Sequence, residues 1–448
     1  MKRTLFALAA VAALVVSSVT GAGRAAAGRP PQKEEKKAEK AEKKYRKAAE
    51  RVEGQFLVAL EGSAREDVRA VADDLAARYG GRVLTYYEEY PQGFAVSTTD
   101  EAALALSEDP AVWFVEEDAV NYSLASPQEV YGSAYQSNPP NWGLDRIDQQ
   151  GLPLDRAYTW SFSGGGVNVY VLDSGFLRTH VDYASRVGQV VDFVNDGTEG
   201  IRCPPVDGKA PSNAWHATAM ASIIGGTSYG VAKDVTLHSL RVLACPAGSD
   251  YTIVKGLDWL LANVQKPAVV NMSFAAKTTG QSIERMKEIK IRELITKGVT
   301  CVIGAGNTDE LASNYTPARI AEGITVGATA VVTDASGVQR DARMAGPAYT
   351  VVSAYGDAID LFAPGHNIKS ASSRGGDGTG LTISNTGTIT QSGTSQATAH
   401  VTGVAAQYLH FNRSATPADV RNFIIGRATP GIIQNTRCQF CNYMLRSF

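Results

Sequence analysis

The chain has 448 residues, 44% hydrophobic and 20% charged, with a formal net charge of −2 at pH 7. This is ordinary globular composition, long enough for two or three domains. A charge so close to balance offers no global field for nucleic acid or an anionic membrane surface.

The N-terminus reads as a secretory signal over residues 1–28. Lys2 and Arg3 precede an apolar run from Leu5 to Val16. That run is shorter than the roughly 18 residues a membrane span needs. Small residues from Ser17 to Ala27 then suit signal-peptidase cleavage. The alternative for such a stretch is a short membrane anchor. No later segment is apolar enough to span, so the expectation is an exported, soluble protein. Residues 29–50 alternate Lys, Glu and Ala and read as a solvated spacer.

Residues 51–122 carry the pattern of a small complete domain. Strands are expected at Gln55–Leu60, Val83–Tyr87, Gly93–Ser97 and Val112–Val115. Helical periodicity covers Arg65–Tyr79, ended by Gly80-Gly81, and Glu101–Ser107. The order βαββαβ is ferredoxin-like. Residues 123–141, with Pro127, Gly132, Pro139 and Pro140, read as an exposed linker.

From Trp142 onward, continuous apolar runs alternate with helical segments. The runs are Val167–Leu172, Val235–Leu243, Ala268–Ser273, Val299–Ile303 and Ile324–Gly327, as for parallel strands buried on both faces. Helices are expected at Ala217–Ile224, Thr252–Ala262, Ile283–Lys297 and Ala397–Leu409. The fold class expected is therefore α/β, a doubly wound and mostly parallel sheet, preceded by a small α+β ferredoxin-like domain.

Five cysteines are present, so at least one thiol is unpaired. Cys301 lies in an apolar run and reads as a buried small hydrophobe. Cys438 and Cys441 have C-x-x-C spacing without a second pair, which argues against zinc and for a local disulfide.

Three separated residues can act together. Asp173 closes an apolar strand, at the end where α/β sheets place ligands. His216 opens a helix. Ser395, in Gly393-Thr394-Ser395, sits in the first turn of another, near unpaired N–H groups and the positive dipole end. Singly, each reads as a cap or a structural residue. Together they supply a nucleophile, the base that takes its proton and the acid that orients the base. Asn307, in Gly304-Ala305-Gly306-Asn307, adds an amide donor for an oxyanion. No histidine pattern makes a metal site.

With these motifs the chain resembles the subtilisin-like serine peptidases, most closely the proteinase K branch. Supporting stretches include Asn141-Trp142-Gly143-Leu144-Asp145-Arg146-Ile147, Tyr229-Gly230-Val231-Ala232-Lys233 and Phe362-Ala363-Pro364-Gly365. The order Asp, His, Ser is that of subtilisin. Residues 51–122 resemble that family's propeptide, through Gly93-Phe94-Ala95 and Val115-Glu116-Glu117-Asp118.

The resemblance implies a secreted serine endopeptidase, made as a self-processing zymogen. Residues 51–125 would be the inhibitory propeptide and 126–448 the catalytic domain, separated by a cut at Ala125–Ser126. Ser395 would be nucleophile, His216 base, Asp173 orienting acid and Asn307 oxyanion donor. Gly248, Ser249, Ser273, Phe274 and Ala275 would pair with an extended polypeptide substrate, alongside Gly304 and Ala305. Cys203 and Cys245 would form a disulfide. The chemistry needs no cofactor. A structural calcium ion is compatible with the family, but Ala330 stands where relatives often carry a ligating Asp. Asp334 and Asp341, in the insertion Val331–Val352, are the alternative ligands. A monomer is expected, with its own propeptide as partner and none in nucleic acid or membrane.

Departures from the family pattern surround the site. His-Gly-Thr-His reads His216-Ala217-Thr218-Ala219. Ser-Met-Ala-Thr-Pro-His reads Ser395-Gln396-Ala397-Thr398-Ala399-His400. Leu-Gly-Gly reads Phe274-Ala275-Ala276, which should make the pocket shallow and favour a small residue before the cut. These changes motivate a second reading, a catalytically silent homologue that binds peptides. An esterase would instead carry a Gly-x-Ser-x-Gly elbow and the order Ser, Asp, His, and neither is present.

Overall fold

The structure is a computed structural model that describes residues 44–62, 67–123, 126–128, 138–198, 215–244, 247–278, 285–374 and 382–447. The expected signal peptide, most of the spacer, Ala125, Cys203 and Cys245 lie outside the described residues.

The N-terminal unit comprises β1 (Tyr45–Arg46), β2 (Arg51–Leu60), α1 (Val68–Arg78), β3 (Arg82–Tyr87), β4 (Gly93–Ser97), α2 (Asp100–Ser107) and β5 (Val112–Ser123). From β2 to β5 this is the βαββαβ order expected. Asp67 caps α1 by accepting the Arg69 N–H at 3.0 Å. Gly80, at φ +71°, takes the left-handed conformation just beyond the helix end. Thr99 caps α2, whose first turn carries Asp100 and Glu101 at the positive dipole end. Both helices cover one sheet face, with Leu75 of α1 and Leu106 of α2 packed among Phe56, Val58, Phe94, Val96 and Val115.

Two expectations change here. The last strand does not stop at Val115 but continues to Ser123, so the expected linker begins as β-structure. The charged spacer contributes β1, which pairs in parallel with β5, Tyr45 opposite Val115 and Arg46 opposite Glu116. Polar side chains at 44–50 have partners in the fold. The Arg46 guanidinium lies 3.3 Å from the centre of the Phe114 ring. The Ala48 N–H donates to Glu117 at 2.8 Å.

The chain continues through β6 (Ser126–Gln128), α3 (Trp142–Ile147), β7 (Asn168–Asp173), β8 (Val187–Asp192), α4 (His216–Gly225), β9 (Thr236–Arg241), β10 (Gly248–Ser249), α5 (Asp250–Asn263), β11 (Ala268–Met272) and β12 (Phe274–Lys277). Then follow α6 (Met286–Thr296), β13 (Thr300–Gly304), β14 (Tyr315–Thr316), β15 (Ile324–Thr333), β16 (Gln339–Arg343), β17 (Leu361–Pro364), β18 (Ile368–Arg374) and β19 (Ile383–Ser392). Last come α7 (Thr394–Phe411), α8 (Pro417–Arg427), β20 (Thr429–Pro430) and β21 (Tyr443–Met444).

The main sheet runs β21-β17-β15-β13-β11-β7-β9-β8 with every neighbouring pair parallel. Helices cover both faces. On one, α4 and α7 pack Ile223, Ile224, Val401 and Val404 against Val169, Val302 and Val326. On the other, α5 and α6 pack Ile253, Leu257, Leu260, Ile291 and Leu294 against Tyr170, Val270 and Cys301. Sequence reasoning passed over α8, although Thr416-Pro417-Ala418-Asp419 forms its capping box. It also passed over β8 and the β18–β19 sheet, whose residues are too polar to read as core strands.

The insertion after Ala330 folds back as β16, antiparallel to β15. Asp341 on it is bonded twice by the buried Arg146, at 2.9 and 2.8 Å. Asp334 is held by Ser336, Val338 and Arg340. These two carboxylates are thus engaged separately and share no site for an ion. Ala330 is fully buried in the apolar core, and its methyl side chain offers no oxygen to a cation.

The N-terminal unit sits on the first turns of α5 and α6. Leu57, Tyr87, Ala95 and Phe114 share an apolar cluster with Val254, Met286 and Ile289. Two buried carboxylates satisfy helix N-termini across this contact. Asp118 accepts the Tyr251 N–H at 2.8 Å, and Glu116 accepts the Met286 N–H at 3.1 Å. Arg285 reaches back to the Lys47 carbonyl at 3.2 Å.

Candidate active site

Asp173, His216 and Ser395 occupy a strand end or a helix start, and Asn307 lies in the loop that follows β13. Asp173 is the last residue of β7, and its carboxylate accepts the following Ser174 N–H at 2.6 Å. His216 is the first residue of α4. Its Nδ1 lies 2.8 and 2.9 Å from the two Asp173 oxygens. A carboxylate is an acceptor only, so this nitrogen carries the proton and Nε2 presents its lone pair. Both side chains are fully buried, which strengthens the contact by excluding water.

Ser395 is the second residue of α7 and is buried in the intact chain. Neither Ser395 Oγ nor His216 Nε2 has a hydrogen-bond partner, so the direct contact expected between them is not made. One group is a donor and the other an acceptor, and each lacks its complement. Catalytic hydrogen bonds of this kind commonly tighten only in the reacting complex.

Asn307 follows β13. Its Oδ1 accepts the Thr394 N–H at 2.9 Å and the Thr394 hydroxyl at 3.0 Å. With the oxygen held there, the amide nitrogen is oriented away from Thr394, one residue before the serine. Thr394 therefore acts as an anchor that sequence reasoning had not identified. Gly304 ends β13, and the Ala305 N–H is spent on the Val326 carbonyl at 3.0 Å.

The chain itself runs through the cleft. Val120 and Asn121 of β5 pair antiparallel with Ser249 and Gly248. Tyr122 and Ser123 pair antiparallel with Ala275 and Phe274. Three residues after Ser123, Ser126 and Pro127 pair with Ser392 and Gln391, just ahead of Ser395. Backbone hydrogen bonds of this type hold any sequence in extended form.

The expected substrate-contacting residues divide accordingly. Gly248, Ser249, Phe274 and Ala275 offer backbone to the segment. The Phe274 ring is fully buried in the core beneath, rather than forming a pocket wall. Ser273 is buried, and its hydroxyl accepts from Asn271 at 3.0 Å. His400, five residues after Ser395, takes no part. Its Nδ1 donates to the Gln396 carbonyl at 2.8 Å, and burial pushes its pKa down to about 4, leaving it neutral.

Cys438 and Cys441 form a disulfide, and Cys301 is a free, buried thiol. Among the described residues, no three His, Cys, Asp or Glu side chains gather as a metal ion would need. Among them, too, no helix is long and apolar enough to cross a membrane.

Comparison with known proteins follows the same lines. Residues 164–440 match the model of the subtilase family, peptidase S8. An extracellular serine proteinase of Thermus sp. (strain Rt41A) is 40% identical over 80% of this chain and 75% of its own length. Alkaline serine exoprotease A of Vibrio alginolyticus is 37% identical over 82% of this chain and 60% of its own. Among solved structures, a cold-adapted subtilisin-like serine proteinase superposes with a TM-score of 0.56 at 37% identity, covering 70% of this chain and 99% of that one. Fervidolysin from Fervidobacterium pennivorans, at 19% identity, shares the fold with a TM-score of 0.62.

Proposed function

The chain belongs to the subtilase family of serine peptidases, and from that premise we propose that it is a secreted endopeptidase made as a self-processing, self-inhibited precursor. Ser395 Oγ attacks the scissile carbonyl carbon while His216 Nε2 takes its proton. Asp173 holds the imidazole in the tautomer that can accept and stabilises the imidazolium that forms. The oxyanion is received by the Asn307 amide and the Ser395 N–H at the start of α7. His216 then protonates the leaving amine. Water repeats the sequence on the acyl-enzyme and releases the new carboxyl group.

The observation that carries this reading is the course of the chain's own segment. Residues 120–123 lie as an added strand between β10 and β12, and residues 126–128 pair along β19 just ahead of the serine, as two stretches of an extended substrate would. In the same reading, residues 51–125 are the propeptide, the cut falls at 125–126, and residues 126–448 are the catalytic domain. The signal-like residues 1–28 direct export, and the Thermus relative is named as extracellular. The polypeptide substrate supplies all bonds made and broken, so no cofactor enters the chemistry.

The test is labelling with a fluorophosphonate, which reports a nucleophilic serine, on the processed protein beside full-length Ser395→Ala. The active reading expects wild type to be cut and labelled. Ser395→Ala should remain as uncut, unlabelled precursor. Cleavage of that variant at the same bond in pure form would sink the proposal.

A further inference from the structure

The disulfide Cys438–Cys441 closes a loop between β20 and β21 that the proton transfers do not use. Cys441 packs in a small apolar cluster with Ala354, Phe362, Ile433 and Ala305, and Ala305 lies two residues before Asn307. Beside the disulfide, Asn435 and Arg437 hold left-handed backbone, at φ +57° and +54°. Residues other than glycine rarely take that conformation unless their surroundings impose it.

Those surroundings are the segment that follows the candidate oxyanion donor. Asp309, two residues after Asn307, accepts from Arg343 Nη1 at 2.8 Å and from Arg437 Nη1 at 3.1 Å. The Arg437 guanidinium also lies 3.5 Å from the centre of the Tyr355 ring. Tyr355 is laced to the same segment. Its N–H donates to the Glu310 carbonyl at 3.0 Å, and its carbonyl accepts the Ala312 N–H at 2.8 Å. The Ala354 N–H donates at 2.9 Å to the carbonyl of Gly306, immediately before Asn307. Arg343 Nε donates to the Asn435 carbonyl at 2.8 Å, and the Gln439 N–H donates to Asp357 at 2.6 Å. Thr394 thus holds the Asn307 side chain, while the disulfide loop holds the backbone around it.

An oxyanion donor acts only if it is already in place, and a displacement of about 1 Å can cost about a hundredfold in rate. The Arg437 and Asp309 side chains are 43% and 48% exposed, and exposed ion pairs add little to global stability. Losing this pair should therefore disturb local geometry rather than folding.

We propose that the disulfide loop 434–441 is a clasp on the Asn307 segment, with Arg437 and Asp309 as positioning residues for the oxyanion donor. The inference rests on the peptidase reading and on the role proposed there for Asn307.

The experiment measures peptide cleavage by the processed enzyme, with active sites counted by fluorophosphonate. Arg437→Ala should lower kcat about tenfold and change KM less than about twofold. Its thermal midpoint should fall by no more than about 4 °C, the scale of one exposed ion pair. In an Asn307→Leu background, Arg437→Ala should change kcat less than about twofold, because no donor remains to misplace. Cys438→Ser with Cys441→Ser should show the same dependence on Asn307. An unchanged kcat, equal losses in both backgrounds, a loss confined to KM, or a much larger fall in the midpoint of Arg437→Ala would overturn the proposal. An Asn307→Leu enzyme that loses less than tenfold in kcat would overturn it too, since the clasp would then have no donor to position. A wild type that cleaves no peptide and takes no fluorophosphonate would instead overturn the peptidase reading beneath it.

Discussion

At Asn307 the two ends of one carboxamide are engaged differently. Its oxygen accepts from the backbone and hydroxyl of Thr394, which turns its nitrogen away from Thr394, as the proposed oxyanion role requires. Asn307→Leu keeps the volume and removes both functions. Its kcat should fall by about 10²–10³, the usual loss for one oxyanion donor, with KM for a peptide changing far less. A fall in kcat below tenfold would remove Asn307 from that role. Ala275 and Ala276 give a second residue-scale expectation. Both are buried where the resemblance expects glycines, at 6% and 4% exposure. Peptides with Ala or Val before the cut should have higher kcat/KM than those with Phe or Leu, and the opposite order would refute a shallow pocket. Motif and order singled out Asp173, His216, Ser395 and Asn307 as candidates; the structure sets His216 against Asp173 and leaves Ser395 Oγ and His216 Nε2 without a mutual contact. The part of Thr394 was not legible, because nothing along the chain tells that its N–H and hydroxyl meet the Asn307 oxygen.

Among the elements, α7 shows how close packing limits substitution. A methyl group on Gly403 would put its carbon 2.4 Å from Val231 Cβ. In a free helix Gly→Ala gains about 1 kcal/mol, but overpacking a core costs about 1–3 kcal/mol. In a Ser395→Ala background, which prevents self-digestion, Gly403→Ala should lower the thermal midpoint. A rise would show that α7 can move away from Val231. β1 carries a different expectation. Residues 44–50 lie between β5 and the start of α6, through Arg46 on Phe114, Ala48 on Glu117 and Lys47 beneath Arg285. Deleting residues 44–48 from the full-length precursor should leave self-cleavage intact and shorten the lag between cleavage and peptidase activity. An unchanged lag would mean that β1 adds nothing to inhibition. The Lys/Glu/Ala alternation of this segment hid the strand, since its stability comes from pairing and not from its own pattern.

For the whole molecule, the contact between the N-terminal unit and the larger α/β unit is expected to depend on pH. Glu116 and Asp118 are fully buried there, and loss of water raises both pKa values, Asp118 well above its ordinary range with Asp250 adding to the shift. The groups facing them include Arg285, Arg46, Asp250 and Tyr251. The neutral acids are favoured in the contact, while the separated units would return both groups to ordinary values. The contact is therefore strongest below the normal carboxylate range and weakens as pH rises through the raised values. After self-cleavage, activity should appear sooner at mildly alkaline than at mildly acidic pH, and Asp118→Asn should flatten that dependence. Release that slows as pH rises would contradict it.

Periodicity, strand-end placement and motif order were enough to define the α/β class and the βαββαβ unit, and to nominate the residues for acid, base and nucleophile. Those properties are local, or survive as an order along the chain. Where β5 ends, what β1 adds, the anchoring of Asn307 on Thr394 and the separation of Asp334 from Asp341 depended on partners distant in sequence. Hydrogen bonds and desolvation are settled between such partners, so only the tertiary structure could decide them.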